Sequence, residues 1–412
     1  MKKILLILIL LQSVFIWDSS ACTTAVISGK YTKNGRPMLW KNRDTDALTN
    51  SLKYFNDGKY PYIGLVNSKD TKGKSVWIGT NSMGFAIMNS ASYNLNVGRK
   101  EKLTGLEGKV IKEALASCKT LADFEAYLNA LPKPTGLEAN FGVIDAEGGA
   151  AYYETNHDGF VKIDVNDPKI APYGYVIRTN YSFTGVMGGG SGYVRYNTAN
   201  DLFFSQAGTV GLTPQFIEQV VAKGLGHSLI KENLFEKYGN LEPNHPQYAH
   251  FLDYIPRTGS SSSVVVEGVK PGENPNLATM WSDLGFPLAS IMVPTWVADG
   301  TTLPVITTYN EELKDSPLCN AALSLKNEQI VNVRWGEKDK HYINVNALAN
   351  NKGTGIRQII AKYEPEIYKK ANALNVKWAK DKDINKKEVK EFYNWLDTYI
   401  KEIYSKEFNK QL

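Results

Sequence analysis

"SSACTTAVISGKYTKNGRPMLWKNRD", residues 19–44, decides how this 412-residue chain is read. Small residues lead into Cys22, a β-branched run follows, and a second apolar run closes on Lys41-Asn42-Arg43-Asp44. Cys22–Lys30 reads as a strand, because β-branched and small side chains pack well on a pleated surface. Lys33-Asn34-Gly35 reads as a turn, since Asn and Gly tolerate positive φ. Pro37–Arg43 reads as the returning strand. With the turn centred near Lys33-Asn34, antiparallel pairing sets residue 22 opposite residues 44–45. Lys41 and Asp44 thus return to the end that carries Cys22, and alternation puts Lys41 on the opposite face from Asn42 and Asp44.

What precedes the stretch gives Cys22 its interest. Met1-Lys2-Lys3, the apolar run Ile4–Trp17 and Ser19-Ser20-Ala21 have the three parts of a secretory signal peptide. The run is too short to span a bilayer comfortably, so no membrane span is expected. Removal of residues 1–21 would leave an exported chain, periplasmic or extracellular, of 391 residues beginning at Cys22. Apolar residues make up 43% and charged residues 22%, as in an ordinary globular protein. The formal charge of +5 falls to +4 without Lys2, Lys3 and Asp18, and no basic stripe interleaves with aromatics, which excludes a nucleic-acid partner. The five histidines lack metal-ligand spacing, so neither metal nor cofactor is expected. Of the three cysteines, Cys118 and Cys319 are open to pairing with each other; Cys22 would then be free.

Beyond the first hairpin, strand pairs are expected at Ser75–Ile78 with Gly84–Ser90 and at Phe141–Asp145 with Ala150–Glu154. Further strands are read at Tyr173–Asn180, Ser261–Glu267 and Pro304–Tyr309. Helical spacing marks Leu106–Ala116, Leu121–Leu131 behind the cap Thr120, a segment from Thr213-Pro214 to about Ala222, and Glu388–Phe408. Hairpins with helices inserted between them argue for an α+β, layered αββα arrangement rather than parallel βαβ units. Residues 22–350 form the expected catalytic domain, and 351–412 a helical C-terminal extension packed on it.

Cleavage before Cys22 would put a thiol and a free α-amine on one residue. The amine has a reference pKa of about 7.7–8.0, so near neutrality it can take the thiol proton and return it to a leaving group. A carboxylate such as Asp44 would hold that amine. The competing reading is a lipid anchor, in which the thiol is lipidated and the amine blocked, although Ser19 stands where such signals usually carry a residue like Leu.

"CTTAV…GRPMLWKNRD" resembles the start of the cysteine N-terminal nucleophile hydrolases, most closely the penicillin acyltransferase-like and choloylglycine hydrolase-like branches. The resemblance runs from Cys22 to about Val297. It implies a four-layer αββα sandwich and cleavage of a linear amide bond in a small N-acyl compound, by hydrolysis or by acyl transfer. It implies Cys22 as nucleophile, Asp44 as the aspartate ending the second strand, and Asn180 in "VIRTNYS" as the side-chain half of an oxyanion hole. Asn89 in "GFAIMNSAS" would lend the other half through its backbone N–H, and Arg257 in "PRTGSSSSVVV" resembles an arginine preceding a core strand. Lys41 stands where related branches have arginine and is assigned to substrate binding with Tyr181 and with Asn140 in "EANFGVID". Gly188–Gly192 lacks the Lys-Ser/Thr of a phosphate loop and reads as a bend beside the site. Whether the protein forms a homo-oligomer is left open.

Overall fold

Two antiparallel sheets lie face to face in a computed structural model that describes residues 21–207, 209, 211–298, 302–331 and 341–412. The leader expected at 1–21 falls, except for Ala21, outside the described residues. The first sheet contains β1 (Cys22–Ile27), β2 (Met38–Asp44), β10 (Tyr175–Arg178), β11 (Ser260–Glu267), β12 (Thr279–Leu284) and β13 (Val293–Thr295), in the order β10-β1-β2-β11-β12-β13. The second is a meander of β3 (Asn50–Phe55), β4 (Tyr62–Asn67), β5 (Ile78–Asn81), β6 (Ala86–Ala91), β7 (Ala139–Ile144), β8 (Ala150–Thr155) and β9 (Phe160–Asp164).

Period-two patterning divides the second sheet cleanly. Met88, Ile144 and Tyr152 point toward the first sheet, while Ile87, Val143 and Tyr153 pack under α1 (Glu107–Ser117) and α2 (Leu121–Ala130). Thr120 caps α2 reciprocally with Asp123, as its sequence suggests. The other outer layer holds α3 (Tyr193–Ala207), α4 (Pro317–Leu325), α5 (Ile356–Asp381) and α6 (Lys386–Phe408). The fold is therefore the four-layer αββα sandwich expected from the sequence. The α5–α6 pair is fastened to the first sheet by Trp296 against Trp378, 5.2 Å between ring centroids, and by the Tyr404 hydroxyl donating to the Ala289 carbonyl at 2.8 Å.

Several readings need correction. Pro304–Tyr309 is no strand: Val305–Thr307 coils into a 3₁₀ turn whose N–H groups at Val305 and Ile306 bond Asp397 of α6. Ser75–Trp77 precedes β5 and only Ile78 joins it, so the strand runs on to Asn81. Cys118 and Cys319 do not pair; each is buried and free, one closing α1 and the other inside α4. The link between β1 and β2 is longer than a hairpin turn, with Gly29–Tyr31 in a 3₁₀ turn before Gly35 adopts φ +78°. That asymmetry sets Cys22 opposite Arg43, one residue from the expected partner. A one-residue slip moves a side chain to the other face, so Cys22 shares its face with Arg43 and Lys41 rather than with Asp44.

Between the first sheet and α5 lies a buried charge cluster. Lys223 Nζ sits 2.7 Å from Glu364 and 3.0 Å from Asp283, all without exposed side-chain surface. Burial, with Asp283 adding to it, drives the Glu218 carboxyl well above the usual carboxylate range. Lys223→Met removes the cation that, among the described residues, pairs with both Asp283 and Glu364. It should cost about 3–5 kcal/mol of stability, read as a lowered urea midpoint at unchanged slope.

Candidate active site

Cys22 begins β1 and is 6% exposed, with Ala21 at 2%. Alternation puts its side chain in the layer between the sheets, in line with Thr24, whose hydroxyl meets the Tyr152 hydroxyl of β8 at 2.9 Å. Its backbone nitrogen donates to Asn180 Oδ1 at 3.1 Å. Asn180 stands two residues past β10, which pairs with β1 in a register that joins Thr24 to Arg178. The Asn180 amide nitrogen donates to the Ala91 carbonyl at the end of β6, 3.0 Å away. One side chain therefore bridges the nucleophile candidate and the opposite sheet.

Arg195 of α3, not singled out from the sequence, completes this contact set. Its Nη1 donates to the Cys22 carbonyl at 2.7 Å and to Thr23 Oγ1 at 2.8 Å; its Nη2 donates to Asn180 Oδ1 at 2.8 Å. The residue is 1% exposed, and burial, with Arg257 nearby, pushes its pKa down to about 10. A signal for it was present. Arg195, Thr198, Ala199 and Phe203 form the buried stripe of α3, so an arginine occupies a core-facing helical position.

Asp44 is brought to the same end of the sheet but on the other side of β2. Its Oδ2 accepts from Arg257 Nε at 3.0 Å and its Oδ1 from Ser260 Oγ at 2.5 Å. A register irregularity between Ser260 and Ser262 of β11 makes room for this pairing. Arg257 is accordingly Asp44's ion-pair partner. Lys41 lies on the Cys22 face, where its Nζ donates to Asn89 Oδ1 at 2.8 Å and to the Trp77 carbonyl at 3.0 Å. Burial lowers Lys41 to about 8, against the opposing pull of Cys22. Arg43, opposite Cys22, stacks over Trp77 at 4.7 Å and donates to Asn67 Oδ1 at 2.8 Å.

The remaining sequence candidates form a supporting tier. Asn140 donates to Ser90 Oγ at 3.2 Å and accepts from Ser182 Oγ at 2.6 Å, which holds the segment after Asn180. Asn89 is occupied through its side chain by Lys41, and the Asn180 amide nitrogen meets Ala91, two residues further along β6. Glu154 fixes the same segment: its Oε1 accepts from Arg178 Nε at 2.7 Å and Phe183 N at 3.0 Å, and its Oε2 from the Thr184 backbone at 2.9 Å. Tyr181 stacks between Phe183 and Tyr193, with centroids 5.5 and 4.3 Å away. A groove of about 310 Å³ beside β10 is lined by Tyr173, Tyr175, Arg178, Phe183 and Tyr196. The Gly188–Gly192 bend ties this segment to α3, and Ser191 exchanges backbone hydrogen bonds with Asn180.

No family model matches the chain, and no curated protein does. Among solved structures it is similar to a conjugated bile acid hydrolase variant from Clostridium perfringens, at 11% identity over 68% of this chain and 93% of that one, with a TM-score of 0.40. It is similar to penicillin V acylase from Agrobacterium tumefaciens at 16% identity, 67% and 86% coverage and a TM-score of 0.34. The Caenorhabditis elegans ortholog of N-acylethanolamine-hydrolyzing acid amidase is 15% identical over 44% of this chain and 77% of that one, with a TM-score of 0.32. These are likenesses; the chain's own strand order and layers define its architecture. That architecture is a four-layer αββα sandwich.

Burial lowers Lys41 to about 8, so it carries its charge at pH 7 and sheds it as the pH rises through 8. Lys41→Met would leave Asn89 Oδ1 and the Trp77 carbonyl without this donor and should cost about 1–3 kcal/mol of stability at pH 7. The midpoint of urea unfolding measures the loss.

Proposed function

We propose that this protein is an exported cysteine N-terminal nucleophile amidohydrolase, matured by removal of residues 1–21 and acting on small N-acyl amides through a Cys22 thioester. The observation that carries the reading is the convergence of the Cys22 nitrogen and the Asn180 amide, backed by Arg195, at the Cys22 end of the first sheet. Once freed, the α-amine takes the thiol proton and sulfur attacks the amide carbonyl. Negative charge gathers on the carbonyl oxygen, where the Asn180 amide nitrogen donates after exchanging its Ala91 partner. One such donor contributes about 3 kcal/mol in comparable acyl-transfer sites. The α-ammonium protonates the departing amine, and water releases the acyl group.

The aromatic groove beside β10, the strand that pairs with β1, is the candidate seat for an apolar acyl group, since tyrosines and a phenylalanine wall it. Lys41 remains a candidate for gripping a carboxylate of the substrate; as an ammonium it offers a point charge rather than a planar fork. Burial of Cys22 between the sheets weighs against a lipid anchor, because a thioether-linked diacylglycerol would need the sulfur at the surface. Transfer of the acyl group to an amine instead of water uses the same steps.

The secreted chain should begin at Cys22 with a free amine, by intact mass. Released amine and carboxylate from a panel of N-acyl amides should appear with the wild type and vanish with Cys22→Ala at unchanged circular dichroism. Turnover that survives in the alanine variant would sink the mechanism.

A further inference from the structure

Resting on the reading of Cys22 as nucleophile, we propose that Arg195 is a positioning residue that fixes which way the Asn180 amide faces and keeps the Cys22 α-amine neutral at working pH. A side-chain amide can turn over, exchanging its acceptor oxygen for its donor nitrogen, and only its partners decide the orientation. Arginine has donors alone. Its Nη2, 2.8 Å from Asn180, therefore demands the oxygen there, and the Cys22 nitrogen at 3.1 Å asks for the same. The amide nitrogen is left facing the Ala91 carbonyl across the site, the direction from which an oxyanion must be met.

The second effect is electrostatic. The Cys22 nitrogen shares its acceptor with the guanidinium, and the guanidinium also holds the carbonyl of the same residue at 2.7 Å. A buried cation this close disfavours the ammonium form of the amine. The other charged groups around the amine are Lys41, Arg43 and Asp44 from β2, and Arg257 and Asp253 from the segment before β11; these interact with Cys22 or with Arg195. Asp44 is neutralised by its ion pair with Arg257, so the balance near the amine stays positive. Arg195 Nε has no hydrogen-bond partner among the described residues. Among the described residues, the hydrogen bonds of this buried side chain go to Cys22, Thr23 and Asn180.

The test compares Arg195→Gln and Arg195→Lys with wild type and Cys22→Ala, each made with a cleavable tag whose removal leaves Cys22 first. Processing defects then cannot imitate a catalytic one. Arg195→Gln should move the acidic limb of the kcat/KM profile upward by about one pH unit, because the cation that lowers the amine's pKa is gone. Arg195→Lys keeps the charge and loses the fork, so its limb should stay while kcat falls about tenfold or more at similar KM. An unmoved limb in the glutamine variant, or a shifted limb in the lysine variant, overturns the inference. If the glutamine variant does not fold, the lysine variant decides alone. Should Cys22→Ala retain turnover, the nucleophile reading itself fails; if that variant is inactive and the Arg195 profiles match wild type, only the role of Arg195 does.

Discussion

The pairing of Cys22 with Arg43 across β1 and β2 sets the rest of the site. It fixes which face the thiol occupies, and so which residues it meets. Thr24, Lys41 and Arg43 share that face and reach into the second sheet through Tyr152, Asn89 and Asn67. Thr23 and Asn42 take the other face, under Arg195 and the Ile255 carbonyl. A shift of one residue would exchange the two sets, put polar groups against the aliphatic core and break both hydrogen-bond chains. The register is held from both sides, since β2 also pairs with β11 and β1 with β10.

This arrangement explains a cluster of cations around a single cysteine. Lys41, Arg43, Arg195 and Arg257 are all partly or wholly buried, and Asp44, a buried carboxylate beside them, pairs with one of the four. Burial lowers the basicity of Lys41 and Arg195 because each loses water that nearby anions do not fully replace. The surroundings of Cys22 therefore hold a surplus of buried positive charge.

Much of this was legible in the sequence where local pattern and chemistry coincide. The first hairpin, the strands on either side of Glu147-Gly148-Gly149, helices α1 and α2 and the long helix α6 all show their period directly. Asp44 and Asn180 stood out by position and come to the Cys22 end of the first sheet. The exact register did not show, because a 3₁₀ turn at Gly29–Tyr31 adds residues to one side of the link without a distinctive sequence mark. Strands β3 and β12 passed unnoticed, since Asn50, Ser51, Ser282 and Asp283 interrupt their apolar runs with buried polar residues. Arg195 escaped for a similar reason: its importance lies in contacts with residues 15 and 173 positions away.

The same contacts suit the chain before and after a cut at Cys22. An amide N–H and an amine N–H both donate, so Asn180 Oδ1 can hold the nitrogen in either form. The Cys22 carbonyl remains in its peptide bond and keeps its bond from Arg195. Removing the preceding residues would therefore change the chemistry of one atom without disturbing the ladder that positions it. On the proposed reading, the unprocessed chain is already folded around an unusable base, and cleavage converts that nitrogen into a working one in place.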